Sequence, residues 1–197
     1  MLNYFKQVRA NNQSMRQVIK YGREWTECYT TRWDDMKGQA GGSPRAAFTA
    51  LPPMPLKMTT FINFDIVIPE DWCVDDDYVL IHDIHTRHAP SGGMVPMALY
   101  VVGDQLKAVF KTTPDTKVAA NYWMHWVPGE IYEFRSVVHV DTDFSGYYRC
   151  DVNGQEWFHY TGATSFLGEK PEKGPIWKVG PYHRFGKADY RRMLVRV

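Results

Sequence analysis

The chain has 197 residues, 44% hydrophobic and 15% aromatic, enough to bury one good core; two full domains are not expected, and one domain with an appended arm is the simplest division. A formal charge of +1 offers no global field to nucleic acid or to a membrane surface, so neither is expected as a partner. Cys28, Cys73 and Cys150 are odd in number, widely spaced and form no C-x-x-C pair, which excludes a disulfide framework or a zinc ribbon and predicts reduced thiols.

The opening residues Met1 to Gln7 lack an apolar signal core, and no window is long enough to cross a bilayer as a helix. The expectation is synthesis in the cytoplasm without a signal peptide, with a virion as one route to the outside. Residues 4–21 place Phe5, Val8, Met15, Val18 and Ile19 at helical spacing, with Ser14 as a cap and Gly22 as a stop. Lys6, Arg9, Arg16, Lys20 and Arg23 line the rest, so this helix either packs on the main domain with a solvated basic face or docks on a partner subunit. From Gly38 to Pro55 the chain is rich in Gly, Pro, Ala and Ser, which predicts a loop or a short edge strand around Arg45 to Ala50. The expected division is therefore residues 1–43 as an arm and linker with a short helix, and residues 44–197 as the main domain.

Strand signals dominate after that. Thr59 to Ile68 puts Ile62, Phe64, Ile66 and Ile68 on one face, and Pro69-Glu70-Asp71 turns the chain. Tyr78 to His85, Met97 to Val102, Leu106 to Phe110, Ile131 to Val140, Gly146 to Val152, Gln155 to Tyr160, Ile176 to Tyr182 and Tyr190 to Val197 continue the series. Within Ile131 to Val140, Tyr132, Phe134, Val138 and Val140 face one way, while Glu133, Arg135 and His139 face the other. Asn153-Gly154 between two such runs predicts a type I′ hairpin. Many short strands joined by turns read as an all-β antiparallel sandwich or jelly roll.

The segment Ile176-Trp177-Lys178-Val179-Gly180-Pro181-Tyr182-His183-Arg184 sets Lys178, Gly180 and Tyr182 on one face of a late strand, with Gly180 expected to leave open backbone between the two side chains. This segment resembles the Y-F-K-x-G-x-Y stretch of polysaccharide lyases of the alginate-lyase and heparin-lyase type. Tyr78 to His85 resembles their Q-I-H strand, and Pro44-Arg45-Ala46-Ala47-Phe48 sits where they carry R-x-E, in the family's order. The likeness covers about residues 44–197. It implies a concanavalin-A-like β-sandwich whose concave sheet holds an acidic polysaccharide, and it requires no cofactor.

By that resemblance, Arg45 is a carboxylate ligand, His85 a base or neutraliser, and Tyr182 the acid and also a base, with Lys178, Asp83 and Arg184 as substrate contacts. β-Elimination needs such groups, because the developing enediolate must be neutralised while a proton is taken from C5 and given to the 4-oxygen. Two positions depart from the pattern: Asp83 stands where the family has Gln, and Ala47 where it has Glu. A second reading keeps the sandwich without catalysis, as a structural protein of a phage virion, a capsid decoration or tail component, forming a homo-oligomer or meeting virion neighbours through its arm.

His82, His85 and His88 suggest a metal, but on a strand His82 and His85 face opposite sides, and no metal site is expected. Asp75-Asp76-Asp77 lacks ordered calcium-ligand spacing and reads as a solvated turn. Tyr122, Trp123, Trp126, Trp157, Phe158 and Tyr160 are of the kind that stack on sugars, yet equally suit a core or a subunit interface.

Overall fold

The computed structural model describes residues 5–11, 15–30, 45–50, 53–72, 78–86, 94–111, 118–166, 174–183 and 192–197. Among these the chain forms fourteen strands and no helix. The first four are β1 (Phe5–Asn11), β2 (Met15–Lys20), β3 (Arg23–Tyr29) and β4 (Arg45–Ala50). Next come β5 (Met58–Val67), β6 (Val79–Thr86), β7 (Met94–Val102), β8 (Gln105–Lys111) and β9 (Val118–His125). The last five are β10 (Ile131–Val140), β11 (Tyr147–Val152), β12 (Gln155–Thr161), β13 (Pro175–His183) and β14 (Arg192–Arg196).

They pair, antiparallel throughout, into two seven-stranded sheets. The first runs β1-β4-β13-β6-β7-β8-β9 and the second β12-β11-β10-β5-β14-β3-β2. The interior between them takes alternate residues from both. Val179, Ile84, Leu99 and Phe110 come from the first sheet, and Phe64, Phe134, Tyr148 and Val195 from the second. Burial of this apolar area is the main force joining the layers. Phe64 stacks on Phe134 at 4.7 Å, and Phe110 stacks on Tyr160 across the interface at 4.1 Å.

The helix expected over residues 4–21 is corrected to β1 and β2, which enter different sheets. Tyr21 and Gly22 both have positive φ, 52° and 67°, the geometry of a two-residue type I′ hairpin, so Gly22 turns the chain instead of stopping a helix. The turn lays β2 along β3: Met15 reaches the core, Val18 packs on the Trp25 cluster, and Arg16 pairs with buried Glu27 at 2.6 Å. Cross-strand partners of this kind outweigh a weak helical periodicity.

β4, expected as a loop or an edge strand, lies inside the first sheet between β1 and β13. The phases read for Ile62 to Ile68 and for Ile131 to Val140 hold: the apolar sets are buried, while Glu133, Arg135 and His139 lie on the outer side. Asn153 and Gly154 form the expected hairpin with φ of 52° and 79°. Cys28 and Cys150 are buried free thiols, and burial raises the Cys150 thiol to about 12. Cys73, His88 and Asp75 to Asp77 lie outside the described residues.

Candidate active site

The outer side of the first sheet carries the polar residues that the interior cannot hold. β4 alternates, sending Ala46 and Phe48 to the core and leaving Ala47 and Thr49 on the outer side. Its register with β13 is unbroken, with Lys178 opposite Thr49 and Tyr182 opposite Arg45. β13 in turn sets Ile176 against His85, Lys178 against Asp83 and Tyr182 against Leu80. Directly opposed residues share a face, so Lys178, Tyr182, Asp83 and His85 lie together on the outer side. Asp83 is sunk to 5% exposure, while Lys178, Tyr182 and His85 are half-buried.

Sharing a face does not bring every pair together. Tyr182 stands opposite Leu80, and His85 lies five residues further along β6, roughly 15 Å away at the rise of a strand. Arg45 is Tyr182's partner on β4, and Tyr100 continues the same cross-strand row beyond Leu80. The residues thus form two groups: Tyr182 with the Arg45 position, and Lys178 with Asp83, the latter flanked by His85. The side chain of Arg45 and all of Arg184 lie outside what the structure describes.

Gly180 differs from expectation. It leaves no open floor: with φ of 135°, a Cβ there would meet the Ala46 carbonyl oxygen at 2.1 Å and Ala47 Cα at 2.7 Å. Glycine is required because β4 and β13 approach too closely for any side chain. The same closeness presents Tyr182 from a rigid floor.

His82 faces the interior, as its phase against His85 implies. Its Nδ1 lies 2.7 Å from the Lys178 carbonyl oxygen, which can only accept, so Nδ1 carries the proton and Nε2 accepts from the Tyr148 hydroxyl at 3.2 Å. Complete burial pulls the imidazole down to about 4, partly opposed by the bond to Lys178, and burial raises the Tyr148 phenol. This neutral pair ties the backbone of the site strand β13 to the opposite sheet. No group of three or more His, Cys, Asp or Glu side chains suited to a metal occurs among the described residues.

The aromatic cluster divides. Trp126, Phe158 and Tyr160 are core, Tyr122 and Trp157 pack against it, and Trp123 is half-exposed on the outer side of β9. Sequence reasoning missed the row that extends from Tyr182 through Leu80, Tyr100 and Lys107 to Trp123, one residue on each of five adjacent strands. The signal was present in β9, where exposed Asn121, Trp123 and His125 alternate with more buried Tyr122 and Met124.

Two antiparallel seven-stranded sheets packed face to face, with Tyr182, Lys178 and His85 on one outer side, are the frame to which the comparisons apply. The family model described as polysaccharide lyase matches residues 2–195, and the chain belongs to that family. Among solved structures, an endo-β-1,4-glucuronan lyase from the fungus Trichoderma reesei superposes with a TM-score of 0.77 at 14% identity, covering 98% of this chain and 89% of that one. An alginate lyase from Pseudomonas aeruginosa matches with a TM-score of 0.59 at 17% identity, covering 87% and 81%. A family 7 alginate lyase, A1-II′, matches with a TM-score of 0.62 at 12% identity, covering 88% and 75%. At such identities these likenesses speak for the fold alone. No curated protein matches the chain.

Proposed function

We propose that the outer side of the first sheet binds an acidic polysaccharide and cleaves it by β-elimination, with a 1,4-linked glucuronan as the preferred polymer. The observation that carries this reading is the placement of Tyr182 directly opposite Arg45 on the half-buried outer face, with Lys178 and Asp83 on the same floor of three adjacent strands, β4, β13 and β6. Family membership supplies the reaction class. A glucuronan lyase shares this fold over most of both chains, which makes glucuronan the polymer to test first.

In this reading Arg45 neutralises the uronate carboxylate, which makes the C5 proton acidic enough to remove. The Tyr182 oxygen takes that proton; the C5–H pair becomes the C4–C5 double bond, the C4–O bond breaks, and the same oxygen gives the proton to the leaving oxygen, which restores Tyr182 to its starting state. One residue serves as both base and acid only where C5–H and C4–O lie on the same side of the ring. D-Glucuronate and D-mannuronate have that arrangement; guluronate, the C5 epimer, does not. His85, about three strand spacings from Tyr182, then contacts a flanking sugar and not the reacting carbon. Lys178 offsets the charge of sunken Asp83, so the face does not repel a polyanion.

The test is the ultraviolet absorbance of unsaturated uronate ends released from glucuronan, polymannuronate and polyguluronate. Glucuronan is expected to react fastest and polyguluronate least. Tyr182→Phe should lower kcat by about 10²–10⁴-fold, whereas His85→Asn should act mainly on KM. Release of unsaturated ends by Tyr182→Phe at the wild-type rate would end the proposal.

A further inference from the structure

The row that begins at Tyr182 ends in a cluster with no part in the chemistry. On β8, Lys107 lies opposite Tyr100 on one side and Trp123 on the other. Its ammonium sits 4.4 Å from the Trp123 ring centroid and 5.2 Å from that of Tyr78, and its Nζ donates to the Tyr78 hydroxyl at 3.5 Å. Tyr78 meets Tyr100 edge to face at 5.6 Å, which holds both rings upright. Tyr78 and Trp123 each remain 46% exposed, large apolar surfaces on the same side as the site. Among the described residues no carboxylate pairs with Lys107, although acidic partners engage Arg16, Arg23, Arg135, Arg149, Arg192 and Arg196. A fixed cation between exposed aromatic rings, with no acidic partner among the described residues, is suited to an anion carried on an apolar ring.

We propose that Tyr78, Tyr100, Lys107 and Trp123 form a distal subsite for a uronate unit of the same polymer. Lys107 binds its carboxylate, and Trp123 stacks on the apolar face of its ring. The proposal rests on the lyase reading above and adds to it the path of the ligand, which crosses the strands from β13 towards β9 instead of running along one. Lys107 is three strands from Tyr182, about 14 Å at the spacing of a sheet, and a 1,4-linked pyranose repeats at close to one strand spacing. The subsite therefore lies about three sugars from the cleaved bond. Short oligomers held at Tyr182 do not reach it, and longer ones do.

Size-fractionated glucuronate oligomers, titrated by calorimetry into the Tyr182→Phe chain so that nothing is cleaved, test the idea, with Lys107→Met and Trp123→Ala added singly. Affinity of the parent should rise once the oligomer is long enough to span the row. Both variants should erase that rise, binding long oligomers about tenfold more weakly and the shortest ones as the parent does. Lys107→Met should also narrow the preference for long glucuronate oligomers over neutral cello-oligomers of equal length, while the preference among the shortest oligomers stays as in the parent. An equal loss at every length would mark these residues as merely structural, and unchanged affinity at every length would remove the subsite; either result overturns the proposal while leaving the lyase reading intact. Should the wild-type chain neither bind nor cleave glucuronate of any length, both readings fall.

Discussion

His82, on the central strand of one sheet, accepts a hydrogen bond from Tyr148 on the other, and through its second nitrogen it holds the carbonyl of Lys178. A buried polar bridge of this kind is favourable only when every atom in it is satisfied, and here the ring must be neutral.

That neutrality predicts acid lability. The imidazole's ordinary value of 6.5 applies to the unfolded chain, while burial brings it to about 4 in the fold. Above pH 6.5 both states are neutral and the stability is complete. As the pH falls from about 6.5 towards 4, only the unfolded chain takes up the proton, and about 3 kcal/mol is lost before the effect levels off. Urea titrations across this range should show the loss in wild type, and the His82→Gln chain should lack most of that slope while being less stable at neutral pH.

Removing the other end of the bridge has a separate signature. Tyr148→Phe keeps the ring packing but leaves Nε2 of His82 buried without its donor, which should cost about 1–3 kcal/mol. The same change should slow turnover little, because Tyr148 faces the interior. A melting temperature equal to wild type would show that the bridge contributes nothing.

Gly180→Ala forces a methyl group onto the β4 backbone in a left-handed conformation. Separation of β4 from β13 should cost about 2–4 kcal/mol and carry Tyr182 away from Arg45. Stability by calorimetry and turnover should therefore fall together, whereas Val179→Ala, a core truncation on the same strand, should lower stability with a smaller effect on turnover.

On the opposite outer face, Asp65 is almost fully buried and accepts from Arg135 and Arg196 at 2.7 Å each, with Arg23 4.0 Å away. Asp65→Ala leaves these cations crowded around an apolar hole. Because the arginines remain partly exposed to water, the expected cost is about 2–3 kcal/mol, below that of a fully buried pair. Raising the salt concentration should recover part of it, and chemical denaturation at two ionic strengths measures both effects. Binding to polyuronate is expected to be unchanged.

The legible part of the molecule was the part whose pattern is local. Alternation along Ile131 to Val140, the Asn153-Gly154 turn and the run from Ile62 to Ile68 each specify a strand and its buried side without reference to the rest. The N-terminal residues were not legible in this way: the spacing of Met15, Val18 and Ile19 suits a helix as well as a strand, and only the pairing of β2 with β3 decides between them. β4 was read as a loop or a short edge strand because it lies in a stretch rich in Gly, Pro, Ala and Ser, yet flanking strands on both sides hold it. His85 and Tyr182 could be assigned to one face from phase and resemblance. Their separation depends on register, which has no signature in either segment alone.

The sequence by itself determined a two-layered antiparallel β fold, the buried side of most strands, and the residue types for holding an acidic sugar, because strand alternation and turn chemistry are properties of adjacent residues. The tertiary structure decided which of those positions are neighbours: Tyr182 stands opposite Arg45 and far from His85, and Lys107 on β8 lies beside Trp123 on β9 and Tyr78 just ahead of β6. Cross-strand register follows from how two whole sheets close on a shared core, and that is a balance of distant contacts which no short stretch of chain contains.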